Sequence, residues 1–262
     1  MFSKLIIAGL FAGVAAFASG AVVLQEDFTA SQNGTLPGSL SASYDAGVDV
    51  IVVPLATMQP TPVTDHTGGD GYVCRVGDIG SSGGGYNWIY LASPSPQADA
   101  RVSGWVYVDW TTLDATPLER DYLILGRMQN TDPQVSPTRQ AYFFGVTAYS
   151  SWTGISPNPT NFRPVLFVKS GTSHTLIQEG SSDVTTGWHF FELEMSGSSI
   201  VGKVDGTTVV SGTNTTYGSG NAAWGYYDDN GSASSYPFAA AWDNIKYETL
   251  GASAVTDWTL YE

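Results

Sequence analysis

Cysteine is nearly missing: Cys74 is the only one in 262 residues. An internal disulfide framework is therefore impossible, and stability has to come from the size of the core or from a bound metal. Cys74 lies in Tyr72-Val73-Cys74-Arg75-Val76, an apolar strand-like stretch, and reads as a small buried hydrophobe, with a reactive thiol as the other reading. Basic charge is scarce as well, 10 Lys and Arg against 24 Asp and Glu, for a formal net of -14. A field of that sign repels phosphate backbones and argues against a nucleic acid partner. Of the three histidines, neither His66 nor His174 has a Cys or second His at zinc-ligand spacing, and His189 reads as a satisfied strand histidine. Beyond residue 20 no run is long and apolar enough to span a bilayer, so no integral membrane segment is expected in the mature protein. Helical stripes of 3.6-residue period with caps are absent too.

What is present points to β structure. Hydrophobic residues make up 42% of the chain, ample for a core, and 30 Gly, 13 Pro and 13% aromatics fit many turns and short strands. Residues 1–20 read as an export signal: Lys4 is its one charge, Leu5 to Ala18 form an apolar run, and Ala18-Ser19-Gly20 supply small residues before Ala21. The expectation is a secreted, extracellular, periplasmic or cell-surface protein with a single domain over 21–262. Asn33-Gly34-Thr35, Asn214-Thr215-Thr216 and Asn230-Gly231-Ser232 match glycan acceptor sequons, relevant only in a glycosylating host.

Strands are expected near 50–54, 72–76, 101–109, 122–128, 141–149, 164–169, 188–195, 200–204, 207–211, 222–228 and 237–248. Gly197-Ser198 and Asp205-Gly206 are expected to turn hairpins between them. The stretch Arg101 to Asp109 shows the alternation best. Val102, Val106 and Val108 face one way; Arg101, Ser103, Trp105, Tyr107 and Asp109 face the other. The proline-bearing stretches 130–139 and 151–163 read as long loops at one rim, and Gly83-Gly84-Gly85 as another loop.

Gly187-Trp188-His189-Phe190-Phe191-Glu192-Leu193-Glu194-Met195, followed by Ile200 to Val209 around Val204-Asp205-Gly206, resembles a hairpin of the laminin-G-like, concanavalin A-like lectin/glucanase jelly-roll superfamily. Glu26-Asp27-Phe28, Ser103-Gly104-Trp105-Val106-Tyr107 and Trp242-Asp243-Asn244-Ile245-Lys246-Tyr247 resemble further strands of that superfamily, in the expected order. The resemblance implies an all-β, two-sheet antiparallel jelly-roll sandwich, one sheet of it concave. It does not select a function, because lectins, glucanases, lyases and adhesion modules share the scaffold. It also implies a structural calcium ion where the terminal strands pair, held by Asp27 and Asp243 beside Asn244; plain turn or edge roles are the other reading.

Catalytic patterns are thin. The E-x-D-x-(x)-E carboxylates of superfamily glucanases do not occur, and Glu192-Leu193-Glu194 lacks a third partner and reads as a solvated outer face. Tyr142 to Tyr149 is faintly similar to a lyase strand but lacks its Lys; Arg101, Arg127 and Tyr149 are the groups a lyase would have at hand. Binding fits better. Exposed Trp and Tyr stack on sugar C–H faces while Asp and Arg hold hydroxyls. Arg101, Trp105, Tyr107 and Asp109 are expected to line the concave sheet, extended by Arg127, Tyr149, Trp152 and Trp88, unless Trp105 closes the core beneath a loop. The leading expectation is a secreted, non-catalytic module binding a glycan or surface polymer. A polysaccharide lyase or glycoside hydrolase with an atypical site and a structural or adhesive matrix protein are the alternatives.

Overall fold

The computed structural model describes residues 20–44, 48–58, 65–66, 71–78, 85–110, 120–133, 140–147, 162–228 and 238–251. Fifteen strands follow one another among the described residues: β1 (Val22–Glu26), β2 (Leu40–Tyr44), β3 (Val48–Pro54), β4 (Tyr72–Asp78), β5 (Gly85–Leu91), β6 (Ala100–Val108), β7 (Arg120–Met128) and β8 (Ala141–Thr147) come first. Then come β9 (Arg163–Ser170), β10 (Ser173–Glu179), β11 (Gly187–Ser196), β12 (Ser199–Val204), β13 (Thr207–Thr213), β14 (Asn221–Asp228) and β15 (Phe238–Thr249). Short 3-10 turns at Ala30–Gln32 and Leu55–Thr57 are the helical elements among the described residues, and no helix there is long and apolar enough to cross a membrane.

The strands form two antiparallel sheets, an all-β jelly-roll sandwich of the concanavalin A-like kind. Seven lie in the order β10-β9-β8-β7-β14-β5-β2, and eight in the order β13-β12-β11-β6-β15-β4-β3 with β1 added along β15. β15 pairs with β4 through Phe238–Trp242 and with β1 through Ile245–Glu248. Between these halves its register shifts against β6, at Asp243 to Lys246, where Asn244 takes φ 45. Such a bulge redirects side chains, and here it turns Asp243 and Asn244 toward the start of the chain.

Alternation places the core as expected. Val102, Val106 and Val108 of β6 and Phe191, Leu193 and Met195 of β11 are buried against Tyr122, Ile124, Tyr142, Phe144, Leu166 and Trp224 of the seven-stranded sheet. The Trp224 indole donates across the sandwich to the Ser103 carbonyl at 2.9 Å, so its one polar atom is satisfied in the core. Cys74 is fully buried in β4. The hairpin turns fall where the sequence puts them, with Gly197, Asp205 and Gly206 all at positive φ.

Arg127 departs from its expected role. Its side chain is 1% exposed, and Nε donates to Ala98 O at 2.9 Å while Nη1 donates to Gly197 O and Tyr217 O at 2.8 and 3.0 Å. A guanidinium committed to three carbonyls from three segments ties one end of the sandwich together and does not meet a ligand. Trp88 is likewise no rim residue: it lies in β5, fully buried, clustered with Leu123, Leu125, Phe143 and Phe167 on the seven-stranded sheet's outer face.

Candidate functional site

The outward side of the eight-stranded sheet collects the candidate groups. β6 and β11 pair so that Tyr107 faces Trp188, Trp105 faces Phe190, Ser103 faces Glu192 and Arg101 faces Glu194. Because every second residue of each strand shares a face, these pairs form a ladder on one surface. β15 adds Asp243 beside Trp105 and Glu248 beside Arg101. The surface therefore divides along the strands into an aromatic half and a charged half.

In the aromatic half Trp105, Tyr107, Trp188 and Phe190 are all half-buried. Trp105 and Phe190 lie 5.4 Å apart by ring centroid, and Tyr107 meets Trp188 edge-on at 5.7 Å. Toward the end of the strands a small apolar cluster of Val53, Leu55, Met58, Val73 and Ala241 packs against Tyr107 and Trp188. Burial, with the Asp109 charge in support, pushes the Tyr107 phenol up. The hollow expected beside Trp105 is not vacant. The His66 imidazole stands between the two indoles, at 4.6 Å from Trp105 and 4.5 Å from Trp188.

Charge in the other half is closely matched. Arg101 Nη2 meets Glu194 at 2.5 Å, Nη1 meets Glu248 at 3.1 Å, and Nε lies 3.7 Å from Glu192. Lys203 holds Glu194 from the far side at 2.8 Å, and Lys246 holds Glu248. Burial raises the Glu194 carboxyl, but hydrogen bonds from Lys203 and Arg101, with their charges, outweigh it and hold the group below the usual range. A carboxyl held ionised in this way does not suit a general acid. The same carboxylates outweigh burial at Arg101 and raise its pKa. The Glu192-Leu193-Glu194 stretch thus forms part of an ion network, where the sequence indicated a simple solvated face.

Other expected groups land elsewhere. Asp109 follows β6 but is buried, 4% exposed, and its backbone is engaged by Tyr122, whose hydroxyl accepts from Asp109 N at 3.0 Å. It therefore does not share the open surface with Trp105. Tyr149 and Trp152 lie outside the described residues. Asp27 and Asp243 do come together: the Asn244 side-chain amide donates to Asp27 Oδ1 at 2.5 Å and to Asp243 Oδ1 at 3.3 Å. Among the described residues no group of three or more His, Cys, Asp or Glu side chains is arranged to hold a metal. His189 is satisfied, Nδ1 against Asp205 Oδ2 at 2.7 Å and Nε2 against Thr185 O at 3.0 Å, beside a pocket of about 160 Å³.

Three members of this surface went unrecognised in the sequence. Trp188 and Phe190 are recoverable in part, since they alternate with the buried Phe191 and Leu193, but that β11 lies beside β6 is a long-range pairing. His66 carries no local signal.

No family model and no curated protein matches the chain. Solved structures share its fold. A protein of unknown function with a galectin-like fold from Bacillus subtilis aligns over 89% of this chain and 98% of its own, at 8% identity and a TM-score of 0.53. The carbohydrate recognition domain of Emp47p aligns over 86% and 94%, at 9% identity and a TM-score of 0.51. A beta-1,3-glucanase from Mycobacterium marinum aligns over 88% and 100%, at 12% identity and a TM-score of 0.50. A fold common to a recognition domain and a hydrolase leaves function to the site.

Proposed function

We propose that the protein is a secreted, non-catalytic jelly-roll module that binds a glycan or surface polymer on the outer face of its eight-stranded sheet. The observation that carries this reading is the aromatic ladder, Trp105 with Phe190 and Tyr107 with Trp188, half-buried on one surface beside the Asp243 carboxylate. Rings so placed stack on the C–H faces of sugars, and a neighbouring carboxylate accepts from hydroxyls. An uncharged polymer fits better than a uronate. The net charge is -14, and the cations of this surface, Arg101, Lys203 and Lys246, are each paired with carboxylates.

Retention on immobilised β-1,3-glucan, β-1,4-glucan, xylan and alginate tests the reading. Wild type is expected to be retained on a neutral polymer, and Trp105→Ala or Phe190→Ala to weaken retention about tenfold while still unfolding in one cooperative transition. No retention on any polymer, or unchanged retention of Trp105→Ala, defeats it. New reducing ends or an unsaturated uronate product would favour a hydrolase or lyase instead.

Calcium at Asp27 and Asp243 is a separate proposal. Rotation of the Asn244 amide would turn its carbonyl oxygen toward both carboxylates, a donor set suited to a hard cation. A rise in melting temperature with added calcium that is lost in Asp243→Asn supports it; no rise contradicts it.

A further inference from the structure

We infer that the gap between Trp105 and Trp188 is the principal ring-binding subsite of this face and that His66 is its built-in occupant, which a glycan displaces. The inference rests on the binding reading above and adds to it a position and a competitor. The imidazole lies against both indoles in tilted ring contacts, with centroids at 4.6 and 4.5 Å and interplanar angles of 43° and 34°. A flat ring is therefore what the gap accommodates, and a pyranose offers a comparable face.

Two features mark His66 as a poorly satisfied occupant. Its side chain is 3% exposed, yet neither ring nitrogen has a hydrogen-bond partner among the described residues. Burying an imidazole without such partners opposes the closed arrangement. The Asp243 carboxylate stays outside hydrogen-bond range: its Oδ2 is 3.7 Å from Nδ1. Asp243 is held in place, its Oδ1 accepting from Asn244 N at 2.7 Å. A sugar hydroxyl at the ring's edge can approach that carboxylate more closely than the imidazole does. Both nitrogens of His189 have acceptors in reach: that histidine is fixed by hydrogen bonds, whereas His66 rests on tilted ring contacts and a 3.7 Å approach to Asp243.

The test compares wild type, His66→Ala and His66→Phe as full chains. In His66→Ala, added free imidazole is expected to refill the gap, shifting the indole N–H signals of Trp105 and Trp188 saturably; in wild type it shifts neither. On the neutral polymer that retains wild type, His66→Ala is expected to bind roughly three- to tenfold tighter, with imidazole reversing the gain. His66→Phe, a ring with no polar atoms to leave unpaired, is expected to bind more weakly than wild type. Equal or weaker binding by His66→Ala, with Trp105→Ala still weakening retention, overturns the displacement and leaves the binding reading intact. Failure of imidazole to shift either indole signal in a folded His66→Ala overturns the subsite. A zinc-dependent rise in the melting temperature of wild type but not of His66→Ala overturns it too, by making the imidazole a metal ligand. Retention of neither wild type nor His66→Ala on any polymer defeats the binding reading and this inference with it.

Discussion

Cys74 illustrates how a single side chain reports on its surroundings. It lies in β4 with no exposed surface, and burial pushes its thiol well up despite the opposing charge of Arg75. Only the thiolate attacks a disulfide reagent, so the native protein is expected to be inert to one at about pH 8 and to react with one equivalent on unfolding. Rapid native labelling would place Cys74 outside the core. Glu194 makes the complementary test at the surface. Its folded carboxyl titrates below the ordinary glutamate value because Lys203 and Arg101 outweigh its burial. The resulting stability is present above the unfolded glutamate value of about 4.3 and is lost as pH falls through the folded one. Thermal melts of wild type and Glu194→Gln should therefore differ near neutrality and converge in acid. A gap that stays constant or widens in acid contradicts the ion network as the cause.

Among the strands, position in the sheet governs what the sequence reveals. β6 and β11 alternate cleanly because one side is core and the other half-open, so period two is legible in Val102, Val106 and Val108 and in Phe191, Leu193 and Met195. β10, SHTLIQE, is an edge strand and largely polar; β5, GYNWIYL, follows a glycine run and presents Trp88 to a second buried cluster. Neither bears the pattern of a strand with one wet and one dry side, and both escape a reading by alternation. Short β1 and β2 escape it as well. Arg127 was legible as a charge but not as a tie between segments, because its carbonyl partners come from Ala98, Gly197 and Tyr217. Of those acceptors, Tyr217 O is buried and keeps the Tyr142 hydroxyl at 3.5 Å, while Ala98 and Gly197 reach solvent, so Arg127→Ala is expected to cost about 1–3 kcal/mol in denaturant unfolding; a loss below about 0.5 kcal/mol would show that water replaces the guanidinium fully. Gly225 of β14 lies under the Trp88 ring, where any Cβ would strike the indole. Gly225→Ala is expected to cost about 1–3 kcal/mol by overpacking, and an unchanged midpoint would mean that Trp88 moves aside.

For the molecule as a whole, the two-sheet fold was readable because separate motifs from Glu26 to Tyr247 fall in one sequence of strands, while of the proposed site only the residues on β6 were singled out. The partners of Trp105 and Tyr107 arrive from β11, β15 and His66, separated along the chain by lengths that no local pattern spans. The sequence left Trp105 either open or closed beneath a loop, and the structure combines the two: half-buried, with a histidine against it. On the proposed reading, the acidic balance and the paired cations favour an uncharged polymer over a charged one.

The decisive measurement follows the tryptophan indole N–H resonances while a soluble oligosaccharide of the retained polymer is added. Trp105 and Trp188 stand at the proposed surface, whereas Trp88, Trp224 and Trp242 are fully buried. Saturable shifts at Trp105 and Trp188, with those three unmoved, are the predicted result. Shifts confined to other tryptophans, or none at saturating sugar, would contradict the account.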